Sequence, residues 1–442
     1  TSVQLGSLGT ATLVGMESED VGVLSGSQVL GLTTGQMMGL RSGQVSAFAT
    51  DAFAALKGLQ LSGMTTATLA GLTTEQMSVL SSVQAGGLTS VQVRSLGSDQ
   101  VAAMAPAVVR SLSLMQVGVL GSGVVGGLTT DQVSALTSAQ LGALSTSGLV
   151  GMESEDLAVL SSVQLRGLGS AQLRALGTDQ IASIGVVAVR GLSTVSLGGM
   201  GSAQLGAMTT DQVTGLTSVQ LGSLGTATLV GMESEDVGVL SGSQVLGLTT
   251  GQMMGLRSGQ VSAFATDAFA ALKGLQLSGM TTATLAGLTT EQMSVLSSVQ
   301  AGGLTSVQVR SLGSDQVAAM APAVVRSLSL MQVGVLGSGV VGGLTTDQVS
   351  ALTSAQLGAL STSGLVGMES EDLAVLSSVQ LRGLGSAQLR ALGTDQIASI
   401  GVVAVRGLST VSLGGMGSAQ LGAMTTDQVT GLTSVQLGSL GT

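Results

Sequence analysis

The chain has no histidine, cysteine, tryptophan or tyrosine, and its 442 residues include only four phenylalanines and two prolines. Without His and Cys it offers no imidazole base, no thiolate nucleophile and no nitrogen or sulfur ligand for zinc or copper. A serine nucleophile needs a positioned base, and no Ser-x-x-Lys arrangement occurs. We therefore expect no enzyme activity, and we assign no catalytic, cofactor-binding or metal-binding residues.

Charge is also scarce. Charged residues make up 9% of the chain, and the net charge is -10. Binding to nucleic acid or to an anionic membrane calls for clusters of Lys and Arg. A membrane-spanning helix needs a run of ~18 apolar residues, and no run in this sequence reaches that length. We expect neither a nucleic-acid partner nor a membrane span. In residues 1–216 the basic residues occur singly, at Arg41, Lys57, Arg94, Arg110, Arg166, Arg174 and Arg190.

What the sequence does contain is repetition. Residues 1–216 recur unchanged as 217–432, and 433–442 begin a third copy. Such self-similarity is the signature of a repeat architecture, in which each unit packs against its neighbours. We predict one continuous solenoid made of these copies, and we expect the array to continue beyond Thr442.

A shorter repeat of eight residues lies inside each copy, and 27 of these octads fill the copy without remainder. Two clear examples are 128–135 and 136–143, which read LTTDQVSA and LTSAQLGA. We number the positions zero to seven, with position zero at residue numbers divisible by eight. Positions zero and five are apolar throughout the first copy, position four is Gln in 17 of 27 octads, and positions one and seven are mostly small.

This pattern predicts an all-α solenoid with one short, capped helix in each octad. Ser or Thr at position one and Gln at position four form the S/T-x-x-E/Q capping box, and the apolar positions zero and five then form a hydrophobic staple. Pro106 and Pro322 occupy the first helical position, where proline is best tolerated. Small residues at position seven suit the turn out of the helix, and Gly suits a left-handed conformation there.

A β-solenoid is the alternative. Thr, Val, Gly and a Gln ladder are suitable material for strands, and 27 octads would make nine three-sided coils of three octads each. The abundance of Leu and Ala favours the helical interpretation.

The acidic run at 152–156 recurs at 16–20, 232–236 and 368–372. Its carboxylates, Glu153, Glu155 and Asp156, are of the ligand type that calcium prefers. They also fall in the first turn of the predicted helix, where negative charge is stabilising, and no EF-hand spacing is present. We expect a structural role for them and keep calcium as the alternative.

Further aliphatic residues occupy positions three and six, which we expect to face outward. Exposed apolar patches usually mark interfaces. We therefore predict that identical chains associate as a homopolymer or lateral bundle. The residues in question are Val14, Leu30, Met38, Val83, Val91, Val163 and Val195.

The octads LTTDQVSA and LTSAQLGA resemble repeats in very large bacterial surface and secreted proteins of the adhesin type. The resemblance covers the whole chain and implies an extracellular or cell-surface location. With the repetitive sequence, it leads us to expect the shaft of a filament, sheath or surface layer. The alternative is an adhesin or binding scaffold that recognises a glycan or a partner protein.

Overall fold

The computed structural model describes residues 1–440, so the last two residues of the third copy, Gly441 and Thr442, lie outside the described residues. All the regular structure in this range is helical, without strands. The all-α prediction is confirmed, and the β-solenoid alternative is wrong. Two compact units are present, Thr1–Leu224 and Gly225–Thr442.

In the first unit each octad forms one helix of four to six residues. The single 3-10 helix described there is Ala188–Gly191. The α-helices are Ser2–Ser7, Thr10–Val14, Ser18–Gly22, Gly26–Val29, Thr34–Gly39, Ser42–Ser46, Thr50–Ala55, Gly58–Ser62, Thr66–Leu69, Thr74–Ser78, Ser82–Gly86, Ser90–Arg94, Ser98–Ala102, Pro106–Ser111, Leu114–Val117, Ser122–Gly126, Thr130–Ala135, Ser138–Ala143, Thr146–Leu149, Ser154–Ala158, Ser162–Leu165, Ser170–Ala175, Thr178–Ser183, Thr194–Leu197, Ser202–Gly206, Thr210–Gly215 and Ser218–Ser223.

The second unit has the same construction, with a 3-10 helix at Ala404–Gly407. Its α-helices are Thr226–Leu229, Ser234–Gly238, Gly242–Val245, Thr250–Gly255, Ser258–Ser262, Thr266–Ala271, Gly274–Ser278, Thr282–Leu285, Thr290–Ser294, Ser298–Gly303, Ser306–Arg310, Ser314–Ala318, Pro322–Ser327, Leu330–Val333, Ser338–Gly342, Thr346–Ala351, Ser354–Ala359, Thr362–Leu365, Ser370–Ala374, Ser378–Leu381, Ser386–Ala391, Thr394–Ser399, Thr410–Leu413, Ser418–Gly422, Thr426–Gly431 and Ser434–Ser439.

Each helix ends without a left-handed residue. Within residues 1–440 no residue has a positive φ, so the prediction of left-handed glycines at position seven is wrong. The chain turns at position zero instead, where Leu136 is extended with φ -59° and ψ 140°. Its N–H donates to the carbonyl oxygen of Val133 at 3.2 Å, which tightens the last turn. The prediction for proline is confirmed, because Pro106 and Pro322 are the first residues of their helices.

Within each unit, three octads make one coil. Helix Ser138–Ala143, for example, packs on Leu114–Val117 three octads before it and on Ser162–Leu165 three octads after it. A coil thus contains three octads, the number that we considered for the β-solenoid, but each octad contributes a helix and not a strand. Helices that are three octads apart in the sequence stack on one another, so each unit contains three columns of stacked helices.

The core of each unit lies inside the coils and is filled by positions zero and five. Leu136, Leu141 and Leu144 in consecutive octads are buried, with 0–3% of their surface exposed. Most side chains at position four are buried as well, although most of them are polar, and Gln132 is 0% exposed. A polar side chain at that depth must be hydrogen-bonded to be tolerated.

Candidate functional site

The predicted capping boxes are present. In the octad 128–135, the Gln132 N–H donates to Thr129 Oγ1 at 3.2 Å, and the Thr129 N–H donates to Gln132 Oε1 at 3.0 Å. Where position one is Gly, only the hydrogen bond accepted by the Gln side chain remains. An example is the 2.9 Å bond from the Gly97 N–H to Gln100 Oε1. The amide oxygen of Gln therefore caps its own helix in either case.

The amide nitrogen of the same Gln has a second role that the sequence analysis missed. Gln132 Nε2 donates to the carbonyl oxygens of Val101 at 2.8 Å and Met104 at 2.6 Å, 31 and 28 residues earlier. The same two spacings recur at Gln140 with Val109 and Leu112. One side chain thus caps a helix and joins its coil to the preceding coil. We call this arrangement the glutamine link.

Other side chains make the connection in octads that lack Gln. Thr68 Oγ1 donates to the Leu40 carbonyl at 3.0 Å, and Ser196 Oγ donates to the Leu168 carbonyl, both 28 residues earlier. Arg174 at position six bonds in the other direction, from Nε to the Gly199 carbonyl oxygen at 3.1 Å. Neighbouring coils are therefore hydrogen-bonded through side chains at several positions of the octad.

Glycine at position seven is explained by close approach between coils. A Cβ atom on Gly167 would overlap the carbonyl of Ser138 in the preceding coil, and one on Gly191 would overlap the carbonyl of Ser162. Glycine lets the two backbones meet at this point. Small residues occur at position seven because the backbone of the preceding coil lies against them there, and not because the helix ends in a left-handed conformation.

The acidic octads place an aspartate where the glutamine link normally stands. Asp156 is 3% exposed, and the Glu153 N–H donates to its Oδ2 at 3.3 Å. Burial raises the pKa of Asp156, and the neighbouring Glu153 and Glu155 carboxylates add to the rise, against a backbone hydrogen bond that lowers it. Among residues 1–440 no group of three or more carboxylates is arranged to hold a metal ion.

The outward aliphatic residues lie where the sequence predicted, with one exception. Val83 is 81% exposed and Val195 is 73% exposed, whereas Val14 is half-buried. Leu30, Met38, Val91 and Val163 are exposed too.

The three columns of the first unit differ in what they expose at position three. One column carries the exposed carboxylates Asp51, Glu75 and Asp99 in successive coils, on helices that pack on one another. A second column carries exposed Leu59 and Val83 and, further along, the exposed carboxylates of Asp131, Glu155 and Asp179. Charges that are scattered in the sequence therefore fall into rows, because residues three octads apart share a column.

The third column exposes an apolar row, which we call the apolar ridge. Its helices are in contact from Thr66–Leu69 to Ala188–Gly191. The six octads of this stretch contain no Asp or Glu and carry exposed Arg94, Arg166 and Arg190 at position six. The ridge consists of Ala67, Val91, Met115, Ala139, Val163 and Val187, all exposed.

The grooves between coils are shallow and differ in charge, and one of them is lined by Glu233, Glu235 and Arg257. One groove of about 650 Å³ in the second unit has Arg310 as its charged lining residue, beside Ser314, Ser361 and Ser363. Its remaining lining residues are Gly, Val and Leu. The groove offers hydroxyls and one guanidinium, and its lining includes no base to activate a hydroxyl.

Comparison with known families agrees with this repeat construction. Six segments match the model of the ALTTAQ repeat, namely residues 116–146, 149–185, 189–218, 332–362, 365–401 and 405–442. The first and fourth segments begin at 116 and 332, which are equivalent positions of the two sequence copies. The chain is a tandem-repeat protein. No curated protein matches this repeat protein. None of the helices described for residues 1–440 has the length and apolar character needed to span a bilayer.

Proposed function

We propose that this repeat protein is a structural scaffold, the shaft of an extracellular filament, sheath or surface layer that is built from identical chains. The observation that carries the proposal is the glutamine link, which recurs with the same spacings in the Gln-containing octads of both units. In such a structure each added coil needs only its neighbour. The number of octads therefore sets the size of the scaffold, and no catalytic role is assigned.

Assembly of identical chains is supported by the exposed aliphatic residues. Val83, Met115 and Val187 each leave three quarters or more of their surface to solvent. Only 9% of the chain is charged, so few charges offset these apolar side chains. Patches of this kind usually mark interfaces.

The test is the state of the purified 442-residue chain over a wide concentration range. We expect circular dichroism to show helix, and we expect sedimentation velocity and electron microscopy to show dimers, bundles or fibres that grow with concentration. A folded chain that remains at 43.2 kDa at every concentration would contradict assembly from identical chains.

A binding scaffold is the second candidate, favoured by the grooves between coils. The groove at Arg310 combines one guanidinium with three serine hydroxyls, and a second groove combines Arg110 with Ser134, Ser138 and Ser161. Such groups suit hydroxyl-rich or anionic ligands such as glycans. A glycan array probed with the whole chain tests this function, and saturable binding that is lost in Arg310→Ala with the equivalent Arg94→Ala would support it.

A further inference from the structure

We propose that two copies of this chain pair side by side and in parallel through the apolar ridge, with the arginine edge of each copy along the carboxylate edge of the other. This inference rests on the proposed assembly of identical chains. It names the face that takes part, the partner and the relative direction of the two copies.

The apolar ridge is continuous and matches itself. Its members follow one another at intervals of three octads, and the helices at these positions pack one on the next. A surface with this regular spacing fits a partner with the same spacing, and a second copy has it by construction. The second unit carries the same ridge at Ala283, Val307, Met331, Ala355, Val379 and Val403, again all exposed.

Pairing would cover the length and the width of the ridge on each copy. Packed helices lie about 8–10 Å apart, so six coils make a ridge roughly 40–50 Å long, and a helix with its side chains is about 10–12 Å wide. Each ridge therefore offers roughly 400–600 Å². One pair of ridges would then bury roughly 800–1,200 Å² in total, which is the size range of weak, concentration-dependent complexes.

Charge along the two edges of the ridge decides the direction of pairing. The apolar ridge lies near the start of its helices, and Arg94, Arg166 and Arg190 lie at their ends. The octads that come just before 160–167 and 184–191 carry Glu155 and Asp179, so carboxylates border the opposite edge of this part of the ridge. Near Arg94 the arginine side also carries Asp99, so the separation of charge holds for the part around Arg166 and Arg190.

Symmetry then distinguishes the two possible pairings. A two-fold axis perpendicular to the direction in which the coils stack gives an antiparallel pair, in which the arginine edges of both copies meet and repel each other. A two-fold axis parallel to that direction gives a parallel pair, in which each arginine edge meets a carboxylate edge. Like charges across an interface disfavour a pairing and complementary charges direct it, so the parallel pair is favoured.

The first experiment compares two sets of substitutions in the full chain by sedimentation velocity. One set places charge on the ridge, Val163→Glu and Val187→Glu with Val379→Glu and Val403→Glu in the second copy. The control places the same charge at position three of another column, Leu59→Glu and Val83→Glu with Leu275→Glu and Val299→Glu. We expect the ridge variant to sediment as the 43.2 kDa monomer and the control to associate like the parent chain.

The outcomes separate this inference from the proposed function. If the parent chain associates and the ridge variant associates equally well, the ridge is not the interface, while assembly of identical chains stands. If the parent chain stays monomeric and folded, both proposals fail. Circular dichroism on each variant checks that it is folded.

A second experiment tests the direction and does not depend on the charged variants. The chain contains no cysteine, so Val163→Cys with Val379→Cys introduces the only thiols. A parallel pair brings Val163 of one copy opposite Val163 of the other, and mild oxidation should then link most of the chains into disulfide dimers. An antiparallel pair centred on the ridge brings Val163 opposite Val91, so efficient linking only between a Val91→Cys chain and a Val163→Cys chain would overturn the parallel arrangement.

A charge exchange gives a further check on direction. Arg166→Glu with Arg382→Glu should weaken association at low salt by at least about tenfold. Glu155→Lys with Glu371→Lys, added to the same chain, should restore it. Failure of the second pair to restore association would show that these two edges do not meet.

Discussion

Gln132 Nε2 donates a 2.6 Å hydrogen bond to the carbonyl oxygen of Met104, one coil earlier in the same unit. Gln132 Oε1 accepts at the same time from the Thr129 N–H of its own helix at 3.0 Å. The two ends of one amide thus serve two different coils. Helices of four to six residues are not stable alone in water, so this coupling is part of what allows them to form.

The first prediction separates the two roles of that amide. Gln132→Glu keeps an oxygen to cap the helix but replaces the buried donor with a carboxylate that faces two carbonyls. We expect a loss of about 3 kcal/mol or more of unfolding free energy at pH 7, since an unsatisfied buried group costs about 1–3 kcal/mol and a charge costs more. Thr129→Ala removes only the cap and should cost about 0.5–2 kcal/mol.

Guanidinium denaturation and hydrogen exchange on the full chain measure both changes. Exchange should rise in Gln132→Glu at the coils on both sides of the link, and in Thr129→Ala mainly in the helix Thr130–Ala135. Equal losses in the two variants would contradict the importance of the bonds between coils.

The second prediction compares a glycine at position seven of its octad with one at position three. Gly167→Ala places a Cβ against the Ser138 carbonyl, so we expect it to destabilise the fold by about 2 kcal/mol or more. Gly123→Ala is the matched control, because nothing lies within 4 Å of its Cβ. In that open helical position alanine should stabilise by about 0.4–1 kcal/mol, since it restricts the unfolded chain. Opposite signs in thermal or chemical denaturation are the expected result.

The sequence was sufficient for the local structure of the octad. The spacing of Thr129 and Gln132 predicted the capping box, and Pro106 agreed with the start of a helix, because these signals lie within a few residues. The Met104 carbonyl that accepts from Gln132 Nε2 belongs to another coil, and nothing in one octad indicates that three octads close a coil. Once the coil is known, Arg166 and Arg190 fall on the edge of one ridge, although they appear as isolated charges in sequence.

The third prediction is an unusual dependence of stability on pH. Burial raises the pKa of Asp156 and of Asp372 in the folded chain. The folded state then holds these protons at pH values where the unfolded state has lost them, so unfolding free energy decreases as pH rises from the unfolded pKa through the folded pKa. Stability contributed by these two groups is therefore greatest in acid and is lost towards neutral pH.

The variant that tests this prediction is Asp156→Gln with Asp372→Gln, which restores the residue used at position four elsewhere. The amide of the new Gln side chain at position 156 can donate to the carbonyls of Val125 and Leu128, which lie 31 and 28 residues earlier. These are the two spacings of the glutamine link at Gln132. We expect the variant to be more stable at pH 7 by about 1–3 kcal/mol and to show a smaller decrease in stability between acid and neutral pH. The decrease that remains comes from Asp236, whose pKa is also raised by burial. Equilibrium unfolding measured across pH checks both, and an unchanged pH profile would show that other carboxylates are responsible.

The last prediction uses deletions to show that the coil of three octads, more than the single octad, organises the surface. Removing residues 128–151 and 344–367 takes out three octads from each copy. The octads that follow keep their columns, and Met115 is then followed on the ridge by Val163 and Val187. Removing residues 128–135 and 344–351 takes out one octad from each copy and moves the octads that follow out of their original column, so the ridge breaks after Met115. Both deletions leave positions zero and five intact in the remaining octads, and we expect both chains to show helical circular dichroism.

Only the three-octad deletion preserves a continuous ridge, so it should associate at concentrations within about tenfold of the parent chain. The one-octad deletion should require at least about a hundredfold more protein than the parent chain, which corresponds to a loss of about 2.7 kcal/mol of association free energy. Equal association by the two chains in sedimentation would mean that the face on which Val163 lies does not matter, and that contact between copies uses features present in every octad.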